Sequence, residues 1–283
     1  MDSEPSLPKP KILLHINDLR HKGTKPFLSH VPDVASTLET ALTHIIANLY
    51  TPNGSQTFTP TIPPTRSVTV LLRDIGGVAY TTGTELDNDH KEIHLSLSYV
   101  VTSAGYADPA AELVGVLTHE LVHCYQHTAP SCAQPGVEGC NVPHPPGGLI
   151  EGIADFVRLK AGLVPSHWKQ PKSAKERAEK WDKGYQDTAY FLAWLEDVHV
   201  GKGAIGMVND RLLRSGYVGE TSVESHTGGK DDKGMVVGFW KGLFGVEVQE
   251  LWDEYGRYLD AGTQSMQHSK NGGNWEEEIV NPE

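Results

Sequence analysis

Apolar positions along this chain recur at two periods, and the change from one to the other divides it near residue 106. Before that point, short apolar or alternating runs predict strands at Lys11 to Asn17, Ser67 to Arg73, Gly77 to Thr82 and Glu92 to Val100. Between the first two, Val34, Leu38, Leu42, Ile45 and Leu49 recur at helical spacing after Pro32 and predict a helix. Residues 51–65, rich in Thr and Pro, read as a loop. Beyond residue 106 the helical period dominates. Leu113, Val114, Val116, Leu117, Leu121 and Val122 trace a helix to about Gln126, with Asp108 as N-cap and Pro109 at its first position. A second helix follows the glycine pair Gly147-Gly148 and ends near Gly162, with Pro165 just beyond. Further helices are expected over 184–198, 204–214 and 246–259. Residues 218–234 read as a polar, Gly-rich insertion, and 1–10 and 263–283 as flexible ends.

The fold class this predicts is α+β in a single domain over 11–262. An α/β lobe (11–105) carries a mixed sheet, a helical lobe (106–262) follows, and a cleft lies between them. A chain of 283 residues is long enough to bury a substantial core.

Inside the first long helix lies His119-Glu120-Leu121-Val122-His123, an H-E-x-x-H motif. Residues four apart share a helical face, so both imidazoles can reach one zinc ion, with Glu120 beside it as general base on a metal-activated water. Such a zinc-peptidase core predicts a zincin-like fold. Tetrahedral catalytic zinc takes three protein ligands and leaves one position for water. Glu151 and Asp155, also four apart, offer two carboxylates on one face of the next helix. Glu151 is the candidate third ligand, and Asp155 the candidate partner for a ligand histidine's second nitrogen. His127 extends the histidine column, but eight residues along a helix rise about 12 Å, too far for three imidazoles to meet one ion.

At this point the chain resembles the basic secretory protein family of plants and its fungal relatives, taken to be zinc peptidases of the H-E-x-x-H type. The resemblance is carried by Lys91 to Tyr99, by His119 to His123 with Gln126, and by Gly147 to Asp155. It continues through Val157 to Gly162, Pro165 to Trp168, Trp181 to Tyr185, Thr188-Ala189 and Phe191-Leu192. It implies peptide or protein substrates and a glutamate as third zinc ligand. In the H-E-x-x-H peptidases a strand just before the motif helix commonly lies along the cleft edge. Glu92 to Val100 is placed for this, with Ser96 and Ser98 on its open face as candidate substrate contacts, although a plain internal strand would show the same alternation. Tyr185, following a glycine in the family-like block, is the first candidate donor to the developing oxyanion. Tyr190 and His144 are alternatives, and a core or capping aromatic is the simpler role for Tyr185.

Charge and cysteines refine this only a little. With 36 acidic against 24 basic side chains and a formal net charge of −12, nucleic-acid binding is disfavoured. The start of the chain has no signal-like apolar stretch, and no segment has transmembrane length. A soluble, cytoplasmic protein is therefore expected, with secretion, as the family name implies, the alternative. Cys132 and Cys140 could staple the loop between the two metal-bearing helices in an oxidising compartment. A second metal site with His144 is disfavoured for want of C-x2-C spacing, and Cys124 reads as a small apolar helix residue. An endopeptidase fits best. A zinc-binding defence protein without turnover and a hydrolase of another amide are the rival readings.

Overall fold

In the computed structural model, which describes residues 7–51, 60–130, 142, 144–221, 223–226 and 233–271, the first half of the chain forms a four-stranded sheet. Strand β1 (Lys11–Ile16) is followed by helices α1 (Thr24–His30) and α2 (Val34–Leu49). Strands β2 (Ser67–Arg73), β3 (Ala79–Gly83) and β4 (His90–Ser96) come next. The spatial order is β1-β2-β4-β3, with β1, β2 and β4 parallel and β3 antiparallel at the edge. The expected mixed sheet is therefore present. Its alternation is physical. Val68, Val70, Leu72, Ile93 and Leu95 are fully buried beneath helices on one face, and on the other face Tyr80 stacks on His94 at 4.4 Å.

The strand expected over Glu92 to Val100 is half strand and half helix. Strand β4 ends at Ser96, whose hydroxyl accepts a hydrogen bond from the Tyr99 backbone N–H and caps α3 (Leu97–Ser103). Leu97 continues the alternation of Ile93 and Leu95, yet with Val100 it also satisfies the i, i+3 spacing of a helix, and the serine cap decides between the two.

Helix α4 (Pro109–Tyr125) begins as expected, Asp108 accepting from the Ala111 N–H at 2.9 Å, a cap worth about 1 kcal/mol. It is buried nearly all round, against the sheet on one side and against α2 and α5 (Gly147–Lys160) on others. Leu117→Ala within it is expected to cost about 2–5 kcal/mol. The helical half continues with α6 (Tyr185–Trp194), a π-helical turn (Leu195–His199) and α7 (Ala204–Ser215). A hairpin of β5 (Val223–His226) and β6 (Lys233–Val236) precedes α8 (Phe239–Phe244) and α9 (Val248–Asn271). Trp181, Phe191, Trp240 and Trp252 form its aromatic core.

Three further expectations change. Residues 218–234 contain strand β5 and the start of β6 rather than only an irregular insertion, α9 runs past Gly262, and the short helices α1, α3 and α8 add to the expected elements. No helix among the described residues is long and apolar enough to cross a membrane.

Candidate metal centre and active-site cleft

Helix α4 sets His119 and His123 one turn apart, with their Nε2 atoms 3.2 Å from each other. Helix α5 brings Glu151 Oε2 to 3.1 Å from His119 Nε2 and 3.7 Å from His123 Nε2. A tetrahedral ion with bonds of about 2.0–2.1 Å places its ligand atoms about 3.3 Å apart, so this triangle has the right size to hold one metal ion. The donor set, two imidazoles and a carboxylate, is one that zinc accepts.

The next contacts outward fix the imidazoles. Asp155, nearly fully buried, lies 2.7 Å from His119 Nδ1, so that nitrogen carries a proton and Nε2 is the atom turned to the triangle. His123 Nδ1 lies 2.8 Å from the Gln126 side-chain amide. Burial alone pulls the His119 pKa down. Its bonds to Asp155 and Glu151 outweigh burial and push it up to about 9 in the metal-free protein. Burial likewise raises the Glu151 carboxyl, but the two histidines hold it far below the usual carboxylate range.

Glu120, buried beside the triangle, is gripped from the sheet. The Thr81 hydroxyl lies 2.7 Å from Glu120 Oε2 and 2.9 Å from the Glu120 main-chain oxygen. The Tyr185 ring lies 6.0 Å from that of His119 and is tilted by only 15°. Tyr185 is 58% exposed and has φ +46, the one non-glycine residue with positive φ among those described. The chain reaches this position through Gly184, at φ +93, and through Gly148, where a Cβ would fall 1.8 Å from the Asp182 carbonyl oxygen. Burial, then the Glu151, Asp155 and Glu120 charges, raise the Tyr185 hydroxyl pKa, which keeps it protonated and a donor at neutral pH.

These groups line a cleft of about 1000 Å³. One wall is the segment from Gly77 to Thr81. Ser96 N–H donates to Val78 O and Thr84 N–H to His90 O, so alternate residues 78, 80, 82 and 84 face β4. The main-chain groups of Ala79, Thr81 and Gly83 therefore point out from the free edge.

Ser96 and Ser98 are not in this cleft, contrary to expectation. The Ser96 hydroxyl is buried and donates to the Ile75 carbonyl, and Ser98 donates to Asp74. Strand β4 is paired on both sides and has no edge to offer a peptide. Tyr190 and His144 do not line the cleft either, Tyr190 packing against Trp168. His127 lies 2.7 Å from the Thr61 carbonyl, outside the metal group. Cys124 is buried and its thiol is pushed up to about 12 by that burial, fitting an apolar role. Cys132 and Cys140 lie outside the described residues. Thr81 carried no sequence signal that points to Glu120, since 39 residues separate them. Gln126 could have been found as the residue three beyond His123.

No curated protein and no solved structure matches the chain. The family model BSP, described as "Peptidase of plants and bacteria", matches residues 9–255, and the chain belongs to this peptidase family.

Proposed function

We propose that this protein is a zinc-dependent endopeptidase of zincin-like architecture, with His119, His123 and Glu151 holding one zinc ion and Glu120 as general base. The observation that carries the reading is the convergence of three ligand atoms, 3.1 to 3.7 Å apart, beside a buried glutamate. When bound, zinc supplies Lewis acidity that brings the pKa of a coordinated water towards about 7.

The chain's own residues do the rest. Asp155 holds the Nδ1 proton of His119 and so keeps the ring in the ligand tautomer. The Thr81 hydroxyl holds one oxygen of Glu120, leaving the other to take a proton from the attacking water and deliver it to the leaving amine. The Tyr185 phenol donates a hydrogen bond to the developing oxyanion. The outward main-chain groups of Ala79, Thr81 and Gly83 pair with an extended peptide, which takes over the role expected of the strand at 92–100. Pairing over several residues favours a cut within a chain.

The test is incubation of the zinc-loaded protein and its Glu120→Gln variant with a mixed peptide library, read by mass spectrometry. Internal cleavage by the wild type alone is expected. Silence from both, with zinc bound, would overturn the peptidase reading for this chain.

A further inference from the structure

Arg158 and Glu112 line the cleft but have no part in the chemistry above. Both side chains are at least nine-tenths buried. Arg158 follows Glu151 by seven residues on α5, and Glu112 precedes His119 by seven on α4. Each therefore lies about 10 Å along its helix from the metal triangle. Their charges are spent on fixed partners. Tyr99 donates to Glu112 Oε1 at 2.7 Å, and Arg158 Nη2 lies 3.2 Å from Glu112 Oε2. Arg158 Nε donates to the Leu163 carbonyl, and the guanidinium sits 5.4 Å from the centre of the Trp168 ring. Nη2 is near the carboxylate but not aligned with it, so it is a buried donor without a hydrogen-bond partner.

We infer that this recess, walled by Val116, Tyr99 and Trp168 and floored by the Glu112–Arg158 pair, receives one large neutral side chain of the substrate beside the cut bond. The inference rests on the peptidase reading and adds its specificity. A substrate acid would meet Glu112 and a substrate base would meet Arg158, and neither finds a free counter-charge in a buried site. Phenylalanine, tyrosine, leucine or methionine covers the apolar walls. The span of about 10 Å from the metal triangle suits a long side chain, and alanine falls short of it.

The experiment uses blocked peptides that differ only in carrying Phe, Leu, Ala, Glu or Lys on either side of the cut bond, with wild type and Trp168→Ala. Trp168 is only partly buried, so the fold tolerates the change. At one of the two positions, kcat/KM for Phe or Leu is expected to exceed that for Ala, Glu and Lys at least about 10-fold. Trp168→Ala brings this ratio below about 3-fold, and Trp168→Phe restores part of it. A ratio unchanged by Trp168→Ala, or a preference for Glu or Lys, overturns the assignment. If no peptide is cut, the peptidase reading fails by itself, and calorimetry with N-acetylphenylalaninamide decides the recess. Binding weakened at least about 5-fold by Trp168→Ala supports it, and equal or absent binding rejects it.

Discussion

The Thr81 hydroxyl on strand β3 lies 2.7 Å from Oε2 of Glu120 on helix α4, so an edge strand of the sheet holds the carboxylate of the metal motif. Replacing that hydroxyl leaves a buried carboxylate oxygen without its donor. Thr81→Val is expected to lower kcat about 10-fold, equivalent to about 1.4 kcal/mol, with KM and metal content little changed. Thr81→Ser keeps the donor and most of the rate. Steady-state kinetics on both variants would decide, and equal rates in all three proteins would remove Thr81 from the site.

Gln126 makes a comparable contact on the metal side. Its amide oxygen is buried without a partner, while its amide nitrogen faces His123 Nδ1. A half-turn of the amide gives the Nδ1 proton an acceptor and leaves Nε2 as the ligand atom. Gln126→Leu should weaken zinc binding about 10- to 100-fold, and Gln126→Glu should preserve it. Competition with a chelator measures this directly, and unaltered affinity in the leucine variant would contradict it.

Stability of the metal-free protein should depend on pH through the two shifted ligands. His119 is raised from 6.5 to about 9, so its stabilising contribution is complete below 6.5 and is lost as pH climbs to about 9. Glu151 is lowered from 4.5, so its contribution is present above 4.5 and is lost as the medium becomes more acid. The metal-free protein should melt highest between those limits, with Tm falling by several degrees from pH 6.5 to 9. Zinc uptake displaces the His119 proton, so apparent affinity should rise up to about tenfold per pH unit over the same interval. Thermal melts with chelator present would expose an error as a Tm that rises instead.

Tyr185 occupies a backbone conformation that ordinarily costs about 1–3 kcal/mol, and it spends that strain beside the metal ligands. Tyr185→Phe should lower kcat about 100-fold with zinc content intact. Gly184→Ala should lower Tm as well as activity, because alanine resists φ +93. Wild-type turnover in the phenylalanine variant would return Tyr185 to a purely structural role.

Much of this was legible from local pattern. The two long helices, the Asp108 cap, and the ligand and carboxylate spacings on α4 and α5 are all short-range features that a period of 3.6 records. What escaped notice depended on distant contacts. The alternation at Ile93, Leu95 and Leu97 looks the same whether the chain continues as strand or turns at a serine cap. The strand lining the cleft is β3 rather than β4 because β3 lies at the edge, and strand order leaves no trace in a single strand's residues. Thr81 and Glu120 meet only because α4 crosses β3, and the Glu112–Arg158 pair joins residues 46 apart in sequence on two helices.

The alternation along β3 has an evolutionary consequence. The same odd-numbered positions turn their main-chain groups to the free edge and, at Thr81, a hydroxyl to Glu120. Inserting or deleting one residue between Gly77 and Thr81 would invert both at once, losing the outward pairing groups and the hold on the glutamate together. A change of two residues would preserve both. Length variation among descendants of this chain should therefore come in even steps at this strand, while Trp168, on a separate loop, remains free to vary and alter diet without touching the chemistry.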